Sequence, residues 1–176
     1  MPNVEYLIAN ENDFEELIDF INLVFGSSVP HDFEVLLPAQ YARQNFMSGT
    51  NYIVKENGRI VANVGAYPVD YYICGDIIKT SAITAVAVHT RTRLKGYMKK
   101  LMETAVGDMQ RDGVDLSFLY GLRQRYEYFG FTPCGVQLEY YCNKHNFHVR
   151  GKRSRQERKK ILSNKNSLFM LIYFFH

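Results

Sequence analysis

The stretch Ile83-Thr84-Ala85-Val86-Ala87-Val88, together with the loop and helix after it, most narrows the folds open to this chain. An unbroken run of small and apolar residues reads as the end of a strand covered on both faces, which places it at a sheet centre. A basic loop with a single glycine comes next, His89-Thr90-Arg91-Thr92-Arg93-Leu94-Lys95-Gly96. Beyond it Leu94, Met98, Leu101, Met102, Ala105 and Met109 fall on one helical face, Lys99, Lys100, Glu103 and Asp108 lie opposite, and Gly113 marks the stop. A buried strand, a short loop and an amphipathic helix in that order require helices layered on a sheet.

The flanking segments fit the same plan. Val4–Ala9 is expected as an opening strand. Phe14, Leu17, Ile18, Ile21 and Val24/Phe25 predict a helix from Asp13, with Asp13 and Glu16 resembling a capping box and Gly26 at the end. Ser27–Pro30 is a break, Asp32–Leu37 a short helix ended by Pro38, and Gln40–Phe46 fits a short helix or a loop. Tyr52–Lys55 and Arg59–Val69 are strands joined through Asn57-Gly58, the strongest local hairpin signal. Tyr71–Cys74 and a turn at Gly75-Asp76 lead into a strand over Ile77–His89. Leu116–Tyr120 predicts a strand, Arg123–Phe129 a helical turn and Phe131–Cys142 a last strand, so the sheet is mixed.

Charge decides against one class of partner. The 176 residues carry a formal +3, yet residues 1–149 hold 13 Lys and Arg against 17 Asp and Glu, and residues 150–176 hold eight against one. The body is mildly acidic, and nucleic acid is not its expected partner. The longest apolar run, Leu168–Phe175, is eight residues, where a membrane helix needs about 20, so no membrane partner is expected. Met1–Phe14 carries three acidic residues and no basic one, unlike a signal or transit peptide, so a cytoplasmic location is expected, with Cys74, Cys134 and Cys142 as free thiols. Cys134 is expected in the core. Cys142, His145 and His148 match zinc spacing poorly, and no metal is expected.

The loop at Arg91–Lys100 bears basic residues at a helix start, the wrong end of the helix dipole for cations. A compensating anion accounts for them: the first amides of a helix lack internal partners, glycine admits close approach, and Arg93 and Lys95 add charge. The alternative is a merely solvated helix face. Neither the mononucleotide nor the dinucleotide glycine motif is present.

Arg93-Leu94-Lys95-Gly96-Tyr97-Met98 resembles the Arg/Gln-x-x-Gly-x-Gly/Ala pyrophosphate loop of the GNAT acetyltransferases, with Met98 at a position usually small and Leu94 where glycine or arginine is frequent. The resemblance implies an α/β (α+β) fold, a mixed, mostly antiparallel central sheet flanked by helices. It also implies acetyl-CoA as cosubstrate, held by the strand backbone around Val86 and Val88 and by the loop Arg93, Leu94, Lys95, Gly96, Tyr97 and Met98. Arg125-Tyr126-Glu127-Tyr128-Phe129-Gly130-Phe131 is similar to the family's Tyr-x-x-x-Gly-Phe ending, which implies that Tyr126 protonates the departing thiolate. A phenol with a pKa of about 10 holds its proton at pH 7 and suits that role.

Asp115–Gly121 leading into Arg125–Phe131 further resembles the N-terminal domain of Eis-like acetyltransferases, over roughly residues 1–149. Those proteins are larger, assemble, and use their terminal carboxylate as proton acceptor, so a homo-oligomer stays open and the base is unassigned among His89, Glu127, Glu139 and water. The expected activity is direct acetyl transfer to a small-molecule or peptide amine; the alternative is a non-catalytic CoA-binding module or an inactive fragment of a larger enzyme. Residues 150–176 form a tail, basic over Arg150–Lys160 and then apolar, expected as a truncated or non-native continuation whose apolar run pairs as an extra edge strand.

Overall fold

The computed structural model describes residues 2–26, 30–134 and 169–174, without the side chains of Ile73 and of residues 169–174. Seven strands form one sheet in the order β1-β2-β3-β4-β5-β7-β6. These are β1 (Val4–Ile8), β2 (Asn51–Glu56), β3 (Arg59–Ile73), β4 (Asp76–Val88), β5 (Leu116–Gly121), β6 (Thr132–Pro133) and β7 (Phe169–Phe174). Every neighbouring pair is antiparallel except β4 with β5. This is the expected mixed, mostly antiparallel sheet.

Asn57 and Gly58 both take positive φ, 51° and 78°, as a tight two-residue hairpin requires. The next turn lies on Cys74 and Gly75, at 53° and 94°, one residue before its expected place, and Tyr71–Ile73 continue β3 without a break. The tail strand β7 is no edge strand. It pairs with β5 on one side and β6 on the other, which satisfies backbone groups along both of its edges.

Helices cover both faces. α1 (Phe14–Phe25), α2 (Phe33–Leu36) and α3 (Pro38–Tyr41) bury Phe14, Leu17, Ile21 and Tyr41 against Ile53, Tyr67, Ala85 and Ala87. α4 (Tyr97–Arg111) lies on the other face, with Leu101, Met102 and Ala105 against Val54, Val64, Ile83 and Leu119. Each large apolar side chain buried in these layers contributes about 1.5–3 kcal/mol.

Three local expectations are corrected. The capping box belongs to Asn10 and Asp13, whose Oδ2 accepts from Asn10 N at 3.0 Å. Glu16 instead accepts from the Ile60 amide at 3.0 Å, tying α1 to β3. Pro38 does not simply end a helix but opens α3, because a first-turn residue needs no free N–H. Leu94 is outside α4, fully exposed at a φ of 67°, since the helix begins only after Gly96. Glu139, Cys142, His145, His148, the strand beyond Cys134 and the run Arg150–Lys160 lie outside the described residues, whereas Cys134 is exposed and does not join the core.

Candidate cofactor-binding and catalytic site

The site begins where the parallel pair ends. β4 pairs with β5 from Thr80–Leu116 to Ile83–Leu119 and no further, although β4 runs on to Val88 and β5 to Gly121. The ladder therefore stops short of the strands' carboxyl ends and leaves the far edge of β4 without a strand partner on that side among the described residues. Carboxyl ends of parallel strands beside a helix start are where α/β sheets bind ligands.

A bulge in β4 lies just beyond the last β4–β5 pair. The β3–β4 register slips between Asn63 and Gly65, and Ala85 adopts a φ of 46°, a left-handed conformation that costs a residue with a Cβ about 1 kcal/mol. Regular alternation would keep Ile83, Ala85 and Ala87 on one face. Here Ile83 faces the α4 core, Ala85 and Ala87 face the α1 core, and Val86 and Val88 rejoin Ile83 on the α4 side.

The loop after β4 closes one end of this cleft. His89 caps a short 3-10 turn over Thr90–Thr92: its Nδ1 accepts from the Arg91 amide at 3.2 Å and its carbonyl from the Thr92 amide at 2.9 Å. Gly96, at a φ of 79°, then turns the chain into α4. The first helical bond runs from Lys100 N to Gly96 O at 3.1 Å, and among the described residues the amides of Arg93 through Lys99 have no acceptor. Unpartnered amides at the positive end of a helix dipole attract an anion. Met98 packs its side chain on the α4 core.

The loop cations divide. Lys95 Nζ bonds both oxygens of Glu56, at 2.7 and 3.0 Å, and this bond outweighs a small desolvation effect to hold the ammonium above its ordinary pKa. Tyr97 donates to the same carboxylate at 3.4 Å, so Glu56 fastens the loop to the end of β2. Arg91 and Arg93 are exposed and have no carboxylate partner among the described residues. Lys99 reaches over the Tyr128 ring at 4.7 Å.

Tyr126 ends α5 (Arg123–Tyr126) and lies in the α4 core with Ile83 and Leu119, its ring edge-on to Phe131. Gly121, at the end of β5, has no side chain and the ring fills that space. Burial pushes the phenol above its ordinary pKa, more than the nearby Arg125 charge lowers it, so it stays protonated through neutral pH. Its hydroxyl has no hydrogen-bond partner among the described residues. His89 serves as a cap, and Glu127 accepts two bonds from Arg123, at 2.9 and 2.6 Å, so these two candidate bases are engaged, while Glu139 lies outside the described residues.

The acetyltransferase (GNAT) domain family matches residues 5–134, which include the bulged strand, the loop and Tyr126. The chain belongs to the GNAT acetyltransferase family. Similar solved structures include the GNAT protein YhbS from Escherichia coli in complex with CoA, at 18% identity and a TM-score of 0.62, over 75% of this chain and 70% of that one. A conserved Enterococcus faecalis protein, described as a probable N-acyltransferase, is 16% identical at a TM-score of 0.62, over 74% of this chain and 32% of that one. Eis1 from Mycobacterium abscessus is 14% identical at a TM-score of 0.58, over 74% of this chain and 31% of that one. The chain thus spans about a third of the length of the Enterococcus and Mycobacterium proteins. No curated protein matches the sequence.

The structure places the expected site residues of this GNAT domain as follows. Val86 and Val88 lie where β4 pairs with β3 but not with β5, Arg93 through Gly96 form the loop and Tyr97 and Met98 open α4, and Tyr126 shares a core with Val86 and Val88. Two contributors carried no sequence motif: Glu56, which holds Lys95, and Asn63, which donates to the Ala85 carbonyl from Nδ2 at 2.9 Å. Asparagine inside the apolar run Ile60–Val64 was the available signal for the second.

Proposed function

We propose that this GNAT domain, over residues 1–149, binds acetyl-CoA between β4 and β5 and transfers its acetyl group directly to an amine. The observation that carries the reading is the divergence of β4 from β5 beside a helix start whose amides from Arg93 to Lys99 lack acceptors among the described residues. The residues fit the cosubstrate: the amides and Arg93 offer donors to a pyrophosphate, and the free edge of β4 around Val86 and Val88 offers backbone groups to the amide-bearing pantetheine arm. Acetyl-CoA supplies the acyl group as a thioester. The neutral amine nitrogen forms a bond to the carbonyl carbon, the carbon–sulfur bond breaks, and Tyr126 donates its proton to the departing sulfur. The amine gives up its own proton to solvent in this reading: His89 and Glu127 already hold other partners, and Glu139 lies outside the described residues. A buried phenol, protonated at neutral pH, fits the donor role.

The Eis-like resemblance favours a polyamine, an aminoglycoside or a lysine-bearing peptide as acceptor. Release of free thiol from acetyl-CoA, followed over a panel of such amines, tests the reading. Tyr126→Phe is expected to lower kcat about 10²-fold or more and leave the Kd for acetyl-CoA nearly unchanged, since general acid catalysis contributes about 10²–10⁴-fold. Cofactor binding without thiol release from any amine would assign the alternative, a non-catalytic CoA-binding module. No rise in melting temperature at millimolar acetyl-CoA would refute both.

A further inference from the structure

We propose that Asn63 is a positioning residue for acetyl-CoA: by holding the carbonyl of Ala85 it keeps β4 turned away from β5, and the cleft stands open for the pantetheine arm. The inference rests on reading that cleft as the acetyl-CoA site.

Asn63 is fully buried in β3, facing the α1 core, with Ile53 and Ala87 as its strand neighbours. A leucine of similar volume would suit those neighbours better, because a buried amide costs free energy unless it is bonded. Only one end of this amide is satisfied. Nδ2 donates to Ala85 O at 2.9 Å, and Oδ1 has no partner among the described residues. An amide kept in a core at that cost, bonded once, is committed to the group it bonds.

That group is the bulge itself. Ala85 takes a conformation that residues with a Cβ rarely adopt, the β3–β4 register slips beside it, and β4 leaves β5 two residues earlier, after Ile83. With the Ala85 carbonyl released, the residue can return to an extended conformation. Val86 and Val88 would then exchange faces with Ala87, and β4 could continue its ladder with β5 past Leu119. Tyr120 and Gly121 remain in β5 past Leu119, so that pairing draws Thr84 and Ala85 against them and narrows the mouth of the cleft that the pantetheine arm must enter. α3 supports the bulge from behind: a Cβ on Gly65 would stand 2.9 Å from the Tyr41 hydroxyl and 3.1 Å from the Thr84 carbonyl.

The test uses the full chain and two probes, CoA and adenosine 3′,5′-bisphosphate, the second carrying adenosine and phosphates but no pantetheine arm. Asn63→Leu, which keeps the volume and removes the donor, is expected to weaken CoA binding about ten-fold, the order of one buried hydrogen bond, and to leave bisphosphate binding unchanged. Hydrogen exchange over Thr84–Ala85 and Tyr120–Gly121 should slow as the β4–β5 ladder extends to the end of β5. Asn63→Ser shortens the side chain and is read in the same way if the leucine variant does not fold. Unchanged CoA affinity in either folded variant, or equal weakening of both probes, overturns the role of Asn63. Failure of the unaltered chain to bind CoA would instead refute the cleft reading itself.

Discussion

Replacing Gly121 by alanine tests whether the position of the Tyr126 ring, and not only its presence, matters. A Cβ at Gly121 would lie 2.5 Å from Cε2 and 3.1 Å from Cδ2 of Tyr126, and 3.2 Å from Leu119 Cδ1. Carbon atoms pack at about 3.5–4.0 Å, so the ring must retreat by about 1 Å. It cannot swing freely, because it is buried and edge-on to Phe131 at 6.4 Å between centroids. Overpacking of this kind costs about 1–3 kcal/mol, to be read from thermal unfolding. A displacement of about 1 Å at a catalytic group can cost about 10²-fold in rate. Thiol release should therefore show a loss in kcat of that order, while titration with CoA shows little change, because the amides of Arg93–Lys99 belong to another loop. Combined with Tyr126→Phe, the alanine should add almost nothing, since both changes remove the same proton donor. A destabilised Gly121→Ala variant with normal kcat would show that Tyr126 is a packing residue and that the proton comes from elsewhere.

Other perturbations separate the loop cations and probe the α1 anchor. Arg93→Ala should weaken CoA binding about ten-fold and flatten its salt dependence, and more so than Lys95→Ala, whose ammonium already serves Glu56. Glu56→Gln releases Lys95 toward the loop, and titration at low and high salt should show tighter, more salt-sensitive CoA binding. Lys55 bonds Asp13 at 2.6 Å and lies 3.5 Å from Glu16, with both members of the closer pair mostly buried. Burial alone would raise the Asp13 pKa, but the Asn10 amide and Lys55 outweigh it and lower it, and the bond to Asp13 raises that of Lys55. The stability Asp13 contributes is thus present above its ordinary pKa of about 3.9 and lost as pH falls through the lowered value. The stability Lys55 contributes is complete below about 10.4 and lost as pH rises through the raised value. Lys55→Met should cost about 2 kcal/mol at pH 7, with the gap to the parent narrowing in acid, as measured by denaturant unfolding at several pH values.

What could be read from the residues and what could not divide along a physical line. The core face of α4, the Asn57-Gly58 hairpin and the cap at Gly113 rest on spacing and backbone preference, which are local, and they stand close to where they were expected. Leu94 also kept the helical spacing, yet periodicity says nothing about where a helix starts, and Gly96 sets that start later. The role of Lys95 depends on a carboxylate 39 positions away, and no local rule reports such a pair.

The bulge at Ala85 was hidden for a different reason. In a strand covered on both faces every residue is apolar, so a switch of faces leaves no change of polarity to reveal it. The trace lay in the neighbouring strand, where Asn63 interrupts Ile60–Val64 with an amide that only a distorted partner can use. Polarity inside a buried strand is therefore most informative when read against its neighbour's regularity: one asparagine in β3 corresponds to a lost ladder in β4, and the lost ladder is what makes a cleft.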